Sequence, residues 1–486
     1  MNSLQRLIRN IFLSLTGNIV VKAGNSLLFI SISRVLGSHD SGIFSLGITY
    51  YTFVFGLSAL GLHELIVREV APRRDQSGRF FVNFIFLRLL TSAAFYGLLI
   101  AGLFLFTPYS AETTRVILIL SLAAIPEAVF SMCQALFEAH ERLSIPMTAA
   151  IGNTAIKLGA GFWLLSQGAP VTQIAWVVPI ASTLSLLLFV PGLISLFRNT
   201  PQSYPARINT LFLRSQTGFM SSFFVIHLSS LLDYQTDALL ISLFLTEEDL
   251  GYYTAAQTIL LAFNLIPLAI RTALYPLMSR YHSQEPDKLT FLYERVGRYL
   301  AALSLPMAAG VTLLAEPIIT LVFGPDFAPA IPVLQISIWA IVFLFLNVPH
   351  SRLMLVRNRQ RAASWMTGIA MAANILLNIL LIPRLGINGA AIARLISAMA
   401  IFLSFYIYSH LYLIRSSLWS VVARPLLATG IMALAIAPLR NMNLLIPIAV
   451  GILTYAIASL VVGVIPNQDI AHWRQIYQVR NQSTKE

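Results

Sequence analysis

Fourteen stretches of about twenty or more apolar residues follow one another along the chain, at approximately 10–36, 40–62, 81–106, 115–138, 144–166, 173–197, 217–245, 249–277, 296–323, 329–355, 361–383, 386–412, 419–439 and 443–465. Each is long enough to cross a hydrocarbon layer of about 30 Å as a helix. Water cannot solvate that much apolar surface. Only 11% of the residues are charged and 57% are apolar, with a mean hydropathy of +0.76, whereas soluble domains carry roughly a quarter charged residues. The expected fold class is therefore an all-α polytopic membrane protein of about 14 transmembrane helices.

The connections carry turn signals, such as Gly37 to Gly42, Gly168-Ala169-Pro170 and Gly324-Pro325-Asp326. An even number of spans places both termini on one side, and the basic residues say which. With the N-terminus inside, 25 of the 32 Lys and Arg lie in or beside cytoplasmic loops. Arg34, Arg115, Arg384 and Arg440 fall outside, and Lys22, Lys157 and Arg394 lie within spans. That asymmetry is the positive-inside pattern. It accounts for most of the net charge of +12, so nucleic acid is not an expected partner. Arg6 and Arg9 precede an apolar run without a small-residue cleavage site, so the first helix reads as a signal-anchor. The single Cys133 excludes a disulfide framework.

The chain repeats itself. A shift of 209 places Ile32 on Ile241, Ser33 on Ser242, Leu36 on Leu245, Asp40 on Asp249 and Gly42 on Gly251. A shift of 218 overlays Gly168–Ala175 on Gly386–Ala393. The longest polar connection, Arg198 to Arg214, separates the copies. The expected organisation is an N-terminal lobe over 1–209 (spans 1–6), a C-terminal lobe over 210–414 (spans 7–12), and spans 13–14 with a tail over 415–486. Parallel repeats of this kind place a binding site between the halves.

Polar residues inside the spans are the candidates for that site. A charge at the centre of a membrane helix costs about 2.5–3.5 kcal/mol on insertion scales, so it faces a cavity or a partner. Asn18, Lys22, Asn25 and Ser33 recur at helical spacing on the first span. Glu127, Ser131, Gln134 and Glu138 form a stripe on the fourth, and Asn153 and Lys157 lie one turn apart on the fifth. Asp233 and Asp237 lie one turn apart on the seventh; Gln257, Asn264 and Arg271 follow on the eighth. Asn374 and Asn378 share a face of the eleventh, and Arg394 lies in the twelfth. These stripes describe a hydrated cavity holding both signs of charge. No phosphate-binding Gly-x-x-x-x-Gly-Lys loop and no metal-ligand spacing of histidines occurs, which argues against an ATP-driven pump and against a metalloenzyme. No cofactor is expected.

Four passages carry a family resemblance: Arg34–Phe44, Asp237–Tyr253, Leu321–Leu334 and Asn374–Ala393. In their order and spacing the chain resembles the polysaccharide (O-antigen type) flippases of the multidrug/oligosaccharidyl-lipid/polysaccharide exporter superfamily. That resemblance implies a two-lobed, non-enzymatic transporter of the bacterial inner membrane. By alternating access it would move an undecaprenyl-diphosphate-linked oligosaccharide to the periplasmic leaflet, alongside a polysaccharide polymerase and other assembly proteins. Lys22, Lys157 and Arg394 are then expected to meet the diphosphate, with Arg34 and Arg271 at the two mouths. Asn18, Asn25, Gln257 and Asn264 suit the glycan. Asp233, Asp237 and Glu127 suit charge balance or coupling to a proton or sodium ion. A lipid II flippase and a cation-coupled multidrug exporter of the same superfamily are the alternatives. Lys22 stands on the first span, where many multidrug relatives resemble one another in having an acid, and this favours an anionic cargo.

Overall fold

The computed structural model describes residues 3–106, 109–201 and 203–464; the side chains of 3–15 and of several residues between 217 and 234, Asp233 among them, lie outside that description. The described residues are helical almost throughout, and they form two compact units, 1–255 and 256–486.

The first unit contains α1 (Ser3–Leu57), α2 (Leu62–Val70), α3 (Ser77–Phe106), α4 (Ala111–Leu122), α5 (Ala124–Ala139), α6 (Ser144–Ser166), α7 (Val171–Ala175), α8 (Val177–Ser185), α9 (Val190–Asn199) and α10 (Thr210–Phe244). It also holds the first turns of α11 (Glu247–Gln284), which ends in the second unit. The second unit continues with α12 (Pro286–Leu313), α13 (Ala315–Val322), α14 (Ala330–Val356), α15 (Gln360–Leu385), α16 (Ile387–Tyr412), α17 (Leu418–Ile436) and α18 (Leu445–Val462).

Proline decides where several apolar stretches break. Its ring clashes with the carbonyl four residues back and it offers no N–H. Pro126, Pro179 and Pro317 each stand four residues after the last residue of a helix: Leu122 of α4, Ala175 of α7 and Leu313 of α12. Pro191 likewise follows by four residues Leu187, inside the 3-10 turn Leu186–Phe189 between α8 and α9. Glycine makes the tight turns. Gly37, Gly168, Gly324 and Gly386 have φ of 85°, 70°, 105° and 60°, a region that side chains with a Cβ avoid. Thr246 and Asp249 form a capping box at the start of α11: the Asp249 carboxylate accepts from the Thr246 backbone N–H at 3.2 Å, and the Thr246 hydroxyl accepts from the Asp249 N–H at 3.2 Å. Glu247 and Glu248 complete an acidic first turn that complements the helix dipole.

Eleven helices among the described residues are long and apolar enough to cross a membrane, against the fourteen stretches expected. The difference lies in three places. Thr16–Leu57 joins two expected spans through the bend at Gly37. Ser144–Ser166, which carries Asn153 and Lys157, falls outside the apolar set, and Thr210–Phe244 contributes only its described end, Gln235–Phe244. Large apolar side chains such as Leu98, Phe104, Leu434 and Val461 are exposed along these helices. Lipid, not water, is the solvent that such surfaces suit. The protein is a multi-pass membrane protein.

One basic residue assigned to a loop margin is instead deeply internal. Arg88 of α3 is 1% exposed and is the largest fully buried side chain among the described residues. Its guanidinium donates to the Phe55 carbonyl at 2.9 Å and the Ser58 hydroxyl at 3.0 Å, and stacks 4.7 Å from the Phe55 ring. The last carbonyls of α1 need hydrogen-bond donors once its ladder stops. Arg88 supplies them, and Thr91 adds a bond to the Ser58 carbonyl at 2.9 Å.

Candidate functional site

In the first unit, α5, α6 and α8 gather a polar cluster around Glu127. One carboxylate oxygen accepts from the Ser182 hydroxyl at 2.7 Å and from the Asn153 amide at 3.1 Å. Asn153 is 6% exposed, and its own carbonyl oxygen finds no partner. Lys157 lies one helical turn beyond Asn153 on the same face of α6, half-buried and coupled electrostatically to Glu127. The Lys157 ammonium makes no hydrogen bond or ion pair among the described residues. An ammonium in an apolar helix without a bonded counterion has the charge to receive an anion.

The other expected residues of this unit divide clearly. Asn18, Lys22, Asn25 and Arg34 are all exposed on α1. Asp237, 2% exposed, accepts from the Tyr253 hydroxyl at 2.9 Å and is internal to the packing of α10 on α11. The Asp233 side chain lies outside the described residues. The far end of the α5 stripe pairs with α2, where Glu138 accepts from Gln134 at 2.8 Å and meets His63 at 3.0 Å. Burial alone would lower the His63 proton affinity, but the hydrogen bond and charge of Glu138 outweigh it and raise the value. Nearby, His140 meets the Ser77 hydroxyl at 2.8 Å. Burial, with Arg74 and Arg142 beside it, pushes the His140 value down to about 4.

In the second unit the notable cavity, about 290 Å³, opens between α11, α14, α15 and α16. Arg271 and Arg352 line it, with Asn347, Ser351, Gln360, Ser364 and Thr367, and Phe405 and Leu344 supply apolar wall. Among the described residues no carboxylate lines it. The two guanidinium groups repel one another across it, and the Asn347 carbonyl oxygen and Arg352 Nε have no partner. Two forked cations without an anion, surrounded by neutral donors and acceptors, match a phosphate or diphosphate bearing hydroxyls.

The structure therefore brings Arg271 together with Arg352, a residue that sequence reasoning read as a topology signal. It leaves Arg394 half-buried on α16, away from this lining. Gln257 reaches Ser337 at 3.4 Å, and Asn264 keeps an unpartnered carbonyl oxygen. Asn374 and Asn378 bond each other at 3.1 Å inside α15. Among the described residues no group of three or more His, Cys, Asp or Glu has a metal-binding arrangement.

Comparison with known proteins bears on the fold and the family. A profile of the lipid II flippase MurJ matches residues 219–458. Over 241 residues the chain is 26% identical to the probable low-salt glycan biosynthesis flippase Agl15 of Haloferax volcanii, covering 49% of this chain and 49% of that protein. The match thus spans about half the length of that curated relative. Among solved structures, the lipid II flippase MurJ in an inward closed conformation superposes with a TM-score of 0.73 at 17% identity, covering 93% of this chain and 98% of that one. An inward-facing multidrug resistance MATE family transporter of the MOP superfamily gives a TM-score of 0.60 at 14% identity, over 80% and 94% of the two chains. At these identities the likeness is one of fold. A profile described as polysaccharide biosynthesis protein matches residues 32–332, more than half of the chain, and the protein belongs to that family.

Proposed function

We propose that the protein is a flippase for a lipid-diphosphate-linked oligosaccharide, with undecaprenyl as the expected carrier. It would carry the headgroup from the cytoplasmic to the periplasmic leaflet of a bacterial inner membrane while the lipid tail stays in the bilayer. Fourteen spans with both termini cytoplasmic is the topology that the basic residues support. The observation that carries the reading is the cavity lined by both Arg271 and Arg352, with no carboxylate among its described lining residues. A cationic drug would meet two like charges there; a diphosphate would meet two opposite ones, and sugar hydroxyls would meet Ser351, Gln360, Ser364 and Thr367. Lys157 in the first unit is a further cation with no bonded counterion among the described residues, and Lys22, Arg34 and Arg394 are assigned supporting contacts by their positive charge alone.

Lipid II is the competing cargo, favoured by the MurJ profile and by the TM-score of 0.73. Both cargoes present a diphosphate, so the glycan distinguishes them. Purified protein in proteoliposomes, given a lipid-diphosphate trisaccharide, lipid II or ethidium, tests the reading. Trisaccharide crossing without ethidium movement supports it. Ethidium exchange with an immobile trisaccharide contradicts it.

A further inference from the structure

We propose that one end of the first unit is a docking surface for anionic phospholipid headgroups, built on the strap of chain between α9 and α10. The partner is the bilayer that holds the protein, so the inference is independent of the cargo.

Three loops distant in sequence are fastened together at this end. The loop before α3 meets the loop after α5, where Arg74 donates to Glu141 at 2.9 Å and Ser77 meets His140 at 2.8 Å. The strap then closes over α3. The Ser203 N–H donates to the Asp75 carbonyl at 2.9 Å. Asn83 of α3, fully buried, donates to the Arg207 carbonyl at 2.9 Å and accepts from the Asn209 N–H at 2.7 Å. One side chain thereby satisfies two backbone groups that no regular structure pairs, and it fixes the strap in place. The Arg79 guanidinium stands 4.9 Å from the Tyr204 ring centroid and 4.3 Å from that of Phe212, which packs on Phe80 at 5.0 Å.

The surface held this way mixes two kinds of side chain. Arg73, Arg142, Arg198 and Arg207 are exposed and make no ion pair among the described residues. The strap and the first turn of α10 also expose Tyr204, Ile208 and Leu211, the last two by 51% and 77%. The positive-inside rule explains why arginines gather on one side of a membrane. It does not explain large apolar side chains held open among them. That mixture fits the boundary between headgroups and acyl chains, where phosphates meet guanidinium groups and apolar side chains reach below them. No lysine occurs in 62–79, 138–144 or 198–214, and arginine's planar fork is the cation that grips a phosphate through two hydrogen bonds. The strap also runs directly into α10, whose residues 217–245 form an expected span. A bilayer surface is therefore adjacent to it. An acidic protein would answer the arginines but not this position beside a span.

The probe is phosphatidylglycerol, with phosphatidylcholine as the uncharged comparison. Each is titrated into the full chain in detergent, and bound lipid is counted by native mass spectrometry. The wild type should hold phosphatidylglycerol the more tightly, and added salt should weaken that binding. Arg198→Gln and Arg207→Gln should each weaken it about fivefold, and the double variant more. Arg359→Gln and Arg361→Gln, at exposed arginines of the second unit, should leave it unchanged. Equal losses from the two pairs overturn the proposal, because basic charge alone would then suffice. Equal affinity for the two lipids does the same. A second readout needs no arginine variant to fold. Ile208→Cys and Leu211→Cys, each carrying a bimane label that the buried Cys133 does not take up, are placed in phosphatidylglycerol-containing nanodiscs. Quenching by lipids with a nitroxide near the headgroup end of the acyl chain supports the docking. Labels that only aqueous iodide quenches would put the strap in water, favour an acidic protein as its partner, and overturn the lipid assignment.

Discussion

Gly42 packs its Cα against the backbone carbonyl oxygen of Glu247, closely enough that a Cβ at that position would overlap it. The contact is reciprocal. Gly251 packs in the same way against the carbonyl oxygen of Ser38. The repeat shift of 209 carries Ser38 onto Glu247 and Gly42 onto Gly251, so the two related turns meet as each other's partners, as in an isologous interface. Small residues allow membrane helices this approach. The Ser38 hydroxyl then donates to Glu248 at 2.9 Å, and Tyr252 donates to the same oxygen at 2.6 Å.

Alanine at Gly42 or Gly251 should therefore force the turns apart, with an overpacking cost of about 1–3 kcal/mol. Gly97 and Gly102, with open space where a Cβ would go, are the controls. Thermal unfolding in detergent should show lower midpoints for Gly42→Ala and Gly251→Ala, and unchanged or slightly higher ones for Gly97→Ala and Gly102→Ala. Four equal midpoints would show that the crossing is looser than described.

Arg88 provides a second test of packing. Its guanidinium holds the Phe55 carbonyl and the Ser58 hydroxyl in a fully buried site. Hydrogen bonds to a charged group contribute about 1.5–3 kcal/mol. Arg88→Ala should lose at least that much stability, and Arg88→Lys should not restore it, because an ammonium cannot reproduce the planar fork or the stacking on Phe55. Unfolding midpoints for the two variants decide the matter; full rescue by lysine would refute the fork argument.

The two histidines near the C-terminal end of α5 should respond to pH with opposite sign. His63 has a raised folded value because Glu138 favours its charged form. Its contribution is complete below the ordinary value of 6.5 and is lost as pH rises through the higher folded value. The stability difference between wild type and Glu138→Gln should accordingly shrink as the pH is raised, from on the order of 1 kcal/mol. A gap that stays constant through the alkaline range would contradict the pairing.

His140 runs the other way. Its folded value of about 4 lies below the ordinary 6.5, so the unfolded chain takes up a proton first and stability falls as pH drops through that window. His140→Gln removes the proton site, so its unfolding midpoint should fall less than the wild type's over the same range. Equal acid sensitivity of the two proteins would remove His140 from the account.

Much of this architecture was legible because it is written in local chemistry. The apolar stretches and the turns at Gly37, Gly168 and Gly324 need only a few neighbouring residues. The breaks after Leu122, Ala175 and Leu313 were not read, because hydropathy runs straight through them and a proline by itself does not end a helix: Pro267, Pro306 and Pro349 lie inside helices. The site was less legible because its pairings are distant. His63 and Glu138 are 75 residues apart, and nothing in either segment names the other. Arg352 has the same sequence context as Arg357, Arg359 and Arg361, a basic cluster at a helix end, and only the fold turns it toward Arg271. Arg88 was misassigned for the mirror reason: a position near a loop says nothing about which face of α3 the side chain takes.

The most direct test of the central claim is the rate at which a lipid-diphosphate trisaccharide crosses proteoliposomes containing wild type, Arg271→Gln, Arg352→Gln or the double variant. Losing one charge-assisted contact of about 1.5–3 kcal/mol predicts a fall of about ten- to a hundredfold for each single variant at limiting substrate. The double variant should fall to the protein-free rate, with all four proteins inserted equally. Unchanged crossing by the double variant would show that the arginine cavity is not where the diphosphate is held.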